Sequence, residues 1–154
     1  MNEIEFNLLD EPWIRVMDSD CQIKEVSLED ALLNAHEYKA LKGEMPTQDI
    51  VILRLMLAVV HTVFSRVDID GDESELEDAD DAVDMWKSLW NNKKLPEKPV
   101  KEYLEKWHDR FWLFHPERPF GQMAGLDTRD YDVQKLNGEI LQSDNKKSFF
   151  SLFR

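Results

Sequence analysis

A chain of 154 residues with 42% hydrophobic and 10% aromatic content, five tryptophans included, is long and apolar enough to close one buried core, which excludes a disordered chain. A net charge of −13, from 19 basic and 32 acidic residues, argues against autonomous, non-specific nucleic-acid binding, which needs a basic surface. Ten of those acids and no base lie between Asp68 and Asp84; without the ten, 22 acids face 19 bases, so the body is nearly neutral and carries one acidic appendage.

Met1-Asn-Glu-Ile-Glu5 has neither a basic start nor an apolar stretch of signal type, and the single cysteine, Cys21, permits no internal disulfide. A cytoplasmic protein is the expectation. Phe6–Met17 reads as two short extended pieces around a turn at Asp10–Pro12, with Ile14 and Val16 alternating against Trp13, Arg15 and Met17. Asp18–Asp20 is a turn, and 21–26 returns as the hairpin partner. Ser27 followed by Asp30 resembles a capping box for a short helix over roughly 28–36. Residues 37–45 read as a connector, loosest at Gly43.

From Ile50 to Phe64 the only strongly polar side chains are Arg54, His61 and Thr62, so apolar groups surround a helix over about 47–66 on all sides. Such a helix belongs inside a domain or a membrane. A membrane span takes about 20 apolar residues in a row, and this run is shorter and charged, so a buried central helix is expected, capped by Thr47. An acidic surface loop, 68–78, follows. A helix from about 76 to 90 places Ala79, Ala82, Val83, Trp86, Leu89 and Trp90 on one face, and a third helix, opening at Pro99, turns Val100, Tyr103, Leu104, Trp107 and Phe111 inward. The fold class is α+β: a small N-terminal β-hairpin unit packed with three to four helices. Trp13, Leu53, Leu57, Phe64, Trp86, Trp107, Phe111 and Phe120 are the expected core. The closing run Ser148–Arg154 is apolar, which suggests missing packing partners, a truncated chain and a tendency to self-associate.

Chemistry-bearing patterns are thin. Asp68, Asp70 and Asp72 match EF-hand loop positions 1, 3 and 5, but Glu73 stands where the required glycine should be and Ala79 where the bidentate glutamate should be. His36, His61, His108 and His115 form no HExxH, and there is no CxxC, GxSxG or glycine-rich phosphate loop. His61 is expected as a hydrogen-bonded interior or boundary residue. No catalysis, metal or cofactor is expected. Trp107, Phe111, Trp112, Phe114 and Phe120 could stack bases, but their helical spacing and the flanking prolines favour packing. Lys146, Lys147 and Arg154, interleaved with Phe149, Phe150 and Phe153, are the better nucleic-acid candidate.

Phe6-Asn-Leu-Leu-Asp-Glu-Pro-Trp-Ile-Arg-Val16, then Val26-Ser-Leu-Glu-Asp-Ala31, then Phe111-Trp-Leu-Phe-His-Pro-Glu-Arg-Pro-Phe-Gly-Gln122 resemble, in that order, the N-terminal part of the CasA family, the large subunit of the type I-E CRISPR Cascade complex. The resemblance implies a non-catalytic subunit of an RNA-guided antiviral complex, covering only the first third or so of the family's length. It implies recognition of the protospacer-adjacent motif, help in opening the duplex and recruitment of the helicase-nuclease, with guide pairing reading the target. The motif-reading segments lie beyond Arg154, so target DNA would be met only through a full-length parent. By the same resemblance Asn145, Lys146, Lys147, Phe149 and Phe150 open a loop that contacts the guide RNA 5′ end and a neighbouring Cascade subunit. The acidic stretch 68–84 is assigned nothing. A truncated adaptor or decoy that binds Cascade without reading DNA, and more remotely a small metalloenzyme, are the alternative readings.

Overall fold

The structure, a computed structural model, describes residues 6–122, all within a unit that spans 1–124. Asn145, Lys146, Lys147, Phe149 and Phe150 lie outside the described residues.

Strand β1 (Ile14–Met17) pairs antiparallel with β2 (Ile23–Val26), with Ile14 opposite Val26 and Met17 opposite Ile23. The alternation in β1 buries Ile14 and Val16, as period-2 patterning requires. The Asp18 carboxylate accepts from the N–H groups of Asp20 and Gln22, closing the hairpin turn, and Cys21 takes the left-handed conformation (φ 62°) that returns the chain. Helix α1 (Leu28–Leu33) starts where Ser27 Oγ accepts from Asp30 N at 3.2 Å. The Asp30 carboxylate does not complete the box: it accepts instead from Asn34 Nδ2 and from the Tyr38 hydroxyl. That contact ties the end of α1 to the chain entering β3 (Ala40–Leu41), which pairs with β1 on its other edge and gives the order β2-β1-β3. A two-residue strand has no periodicity to read, so 37–45 has the sequence of a plain connector. Gly43 is not its loose point either: its N–H donates to Asp49 Oδ1 at 2.7 Å, and a Cβ there would meet that oxygen at 2.8 Å.

Helix α2 (Pro46–Phe64) corrects two further expectations. Its start is fixed by Pro46 in the first turn and by Gln48 Oε1, which accepts from Glu44 N at 2.9 Å, so Thr47 is not the cap. More importantly, α2 is not the buried centre. Only Val59, Val63 and Phe64, at its C-terminal end, are buried, while Ile50, Val51, Leu53 and Leu57 are 59, 54, 49 and 45% exposed. It is a helix long and apolar enough by length and composition to cross a membrane, with 17% of its apolar window buried. Leu53 and Leu57 are therefore surface residues in this chain.

Helix α3 (Ala79–Asn92) is capped by Asp78, whose carboxylate accepts from the N–H groups of Asp80 and Asp81. It contributes no buried residue; Met85 and Leu89 pack partway against the core, and Trp86, expected inside, is 59% exposed. Helix α4 (Glu97–Trp107) begins two residues before Pro99 and buries Val100 and Leu104, while Trp107 at its end is 36% exposed. The centre of the fold is made by β1, α1, α4 and the end of α2: Ile14, Val16, Leu28, Leu32, Val63, Val100 and Leu104 are each at most 3% exposed. Phe64 and Phe111 belong to this core, and Trp13 and Phe120 pack against it half-buried.

Candidate functional site

The segments 6–16 and 111–122, about a hundred residues apart in sequence, meet at one polar node. Asn7 is 1% exposed and sits in an isolated antiparallel bridge with Trp112. Its Oδ1 accepts from Leu9 N at 2.9 Å, which fixes the amide's orientation, and its Nδ2 donates to the His108 carbonyl at 3.1 Å. The same Nδ2 lies 3.4 Å from His108 Nδ1, while His108 Nε2 lies 2.8 Å from the Asp10 carboxylate. With Asn7 donating, Nδ1 accepts and Nε2 carries the proton toward Asp10. Both ring nitrogens are thus engaged, so the Asp–His pair holds two chain segments together instead of leaving a free nitrogen for proton transfer.

Backbone pairing repeats the junction: Leu8 N donates to the Phe111 carbonyl at 3.0 Å, Leu113 N to Phe6 at 2.9 Å, and Leu28 N to Leu8 at 3.0 Å. Trp13 Nε1 donates to the Leu8 carbonyl, so the half-buried indole has its partner. In the aromatic segment Phe111 stacks on Phe120 with centroids 5.2 Å apart, and His108 meets Trp112 edge-on. His115 Nδ1 accepts from the N–H groups of Glu117 and Arg118, folding the proline-bounded turn, and Gln122 Nε2 donates to the Leu113 carbonyl. Packing and turn formation, not base stacking, occupy most of this block; Phe114, 65% exposed, is the exception. A polar residue inside the apolar run Phe6–Leu9 was the available signal for Asn7.

The remaining candidates do not converge. No group of three or more His, Cys, Asp or Glu side chains able to hold a metal exists among the described residues. His61 is exposed on α2, not interior, and His36 lies beside Glu37 at 3.9 Å. In the acidic loop the Asp68 carboxylate accepts from the N–H groups of Asp72 and Asp70, with Gly71 at φ 88° completing the turn; the Asp72 bond first of all holds its carboxyl below the usual range. Those oxygens build the loop itself. Burial, followed by the hydrogen bond to Asp30, pushes the Tyr38 phenol up from 10.0 to about 12, an effect of the contact that ties α1 to the chain entering β3.

The profile of the family described as CRISPR-associated protein Cse1 matches residues 7–152. A CRISPR-associated protein CasA/Cse1 from Thermus thermophilus is 36% identical over 145 residues, covering 94% of this chain and 26% of that protein. The crystal structure of Thermobifida fusca Cse1 is similar at 32% identity and a TM-score of 0.65, covering 93% of this chain and 26% of its own. A chain of a CRISPR RNA-guided surveillance complex, at 21% identity and a TM-score of 0.61, covers 74% of this chain and 22% of its own, a likeness of fold alone. The chain spans about a quarter of the length of these relatives.

Proposed function

The chain belongs to the CRISPR-associated Cse1 (CasA) family, and from that premise we propose that it is the N-terminal portion of a non-catalytic subunit of an RNA-guided surveillance complex acting in the cytoplasm. In this reading it supplies scaffold and docking surface for the guide RNA 5′ end and a neighbouring subunit, through Asn145, Lys146, Lys147, Phe149 and Phe150. Recognition of the flanking DNA motif, help in duplex opening and helicase-nuclease recruitment belong to the whole subunit. The remaining length of such a subunit would cover the apolar outer face of α2.

The observation that carries the reading is the family match over 7–152 together with the use made of the resembling segments. The residues of the first and last blocks are spent on each other. Phe6, Asn7 and Leu8 pair with Leu113, Trp112 and Phe111. Asn7 and Asp10 also bond His108 just before the last block, and a closed junction suits a platform better than a site of turnover.

The test is reconstitution of the purified chain with the other Cascade subunits and guide RNA. Co-migration in size-exclusion chromatography is expected, together with a guide RNA cross-link that weakens in a K146E/K147E variant. Failure to co-migrate, or hydrolysis of a nucleic acid that His108→Ala abolishes, would overturn the reading.

A further inference from the structure

We propose that the exposed tryptophan face at the C-terminal end of α3 is a docking site for a protein segment that is apolar with carboxylates along its edge. Helix α3 buries none of its residues, yet it carries Val83, Trp86 and Trp90 at 47, 59 and 63% exposure, spaced three and four apart, while Met85 and Leu89 pack partway against the core. The two indoles take no part in that core. Tryptophan is strongly enriched among interface anchors, and an apolar patch rimmed by polar groups marks an interaction surface.

The local geometry is organised. Trp86 and Trp90 stack with centroids 5.7 Å apart and planes at 21°, and Lys93 Nζ stands 5.3 Å from the Trp90 ring centroid. Beside Trp90 is a shallow depression of about 390 Å³, floored by Leu89 and Leu95 and rimmed by His36, Lys93 and Lys94. Lys93 reaches its position from a left-handed backbone (φ 63°, ψ −7°), a conformation that favours glycine at a helix end.

Charge selects the occupant. Neither Lys93 nor Lys94 makes an ion pair with a described residue. Glu97, whose carboxyl is held below the usual range chiefly by its hydrogen bond to Lys101, also feels the charge of Lys94, but no carboxylate is bonded to either ammonium at the depression. A partner that brings its own carboxylates to that rim complements the site. A single-stranded nucleic acid fits less well: Trp90 already stacks on Trp86 and takes Lys93 over its ring, and two lysines give only a small phosphate-binding contribution. The proposal does not depend on the loop at 145–150, so loss of RNA contact there leaves it standing.

The test is a random dodecapeptide library displayed on phage and panned against the intact chain, with the enriched peptides then synthesised and titrated by tryptophan fluorescence. Enrichment of apolar sequences bearing Asp or Glu is expected. Their affinity should fall about tenfold or more in Trp90→Ala and in the K93E/K94E variant. Both variants change exposed residues and should keep the parent's thermal unfolding. Enrichment of Lys- or Arg-bearing peptides, or of none that depends on Trp86 and Trp90, would overturn the proposal. So would a uridine oligonucleotide binding there more tightly than any peptide, or a dimer of the chain that Trp86→Ala dissolves.

Discussion

Asn7 uses both ends of its amide, and the Leu9 N–H has no other partner among the described residues, whereas the His108 carbonyl also accepts from Phe111 N. Replacing Asn7 with leucine keeps the volume but orphans the Leu9 N–H in a buried setting. An orphaned buried donor costs about 1–3 kcal/mol, so Asn7→Leu is expected to lose about that much stability, read as a lower urea midpoint with unchanged slope. A loss under about 0.5 kcal/mol, the usual range for a surface change, would mean that the junction is open to water. Tyr38 gives a pH-dependent counterpart. Its phenol, raised to about 12 by burial and by Asp30, stays protonated in the folded chain where the unfolded chain has already ionised. That contribution is complete below pH 10, the ordinary tyrosine value, and is lost as pH rises through about 12. Ultraviolet titration should find Tyr38 ionising above the ordinary tyrosine value in the folded chain, and Asp30→Asn should bring it down. A Tyr38 that titrates at the ordinary value in the folded protein contradicts the contact.

Among the elements, α2 separates composition from burial. Its sequence is apolar on every side, but the fold buries fully only residues of its last two turns, with Ile52, Leu55 and Met56 packing partway against the core. Phe64→Ala should therefore cost about 3–5 kcal/mol, whereas Leu57→Ala, on the exposed face of the same helix, should cost less than about 1 kcal/mol. Chemical denaturation of the two variants side by side checks this; equal losses would mean that α2 is buried along its whole length. Helices α1 and α4 behave conversely. They are short and carry charge on their outer sides, yet Leu28, Leu32, Val100 and Leu104 are among the most deeply buried residues. A narrow stripe with packed elements opposite it is buried more completely than a wide one facing solvent.

At the scale of the whole molecule, the two ends of the described region close on each other. The segment at 6–13 runs between α1 and the aromatic segment at 111–122, so a bond pattern spanning a hundred residues fixes the platform before any partner is met. Charge is distributed on the same scale. The acids of 68–84 sit in a loop that satisfies its own backbone and at the start of α3, where the helix dipole favours them. The cations Lys93 and Lys94 stand at that helix's other end, beside the tryptophans. Polarity thus runs along α3, and co-migration with a surveillance complex and peptide selection at the tryptophan face probe two separate surfaces.

Sequence alone determined the hairpin, the Ser27 cap, the approximate extents of the helices and the family, because each rests on local period, local hydrogen bonding or a contiguous run of residue types. It did not determine which apolar residues face inward. Leu53, Leu57 and Trp86 carry the same local signal as Phe64 and Phe111, and burial depends on what stands opposite a side chain, which periodicity does not encode. The two-residue strand at Ala40–Leu41 and the partners of Asn7 were likewise decided only in three dimensions. In both cases the partner group lies far away along the chain, and only the closed fold brings it within hydrogen-bonding distance.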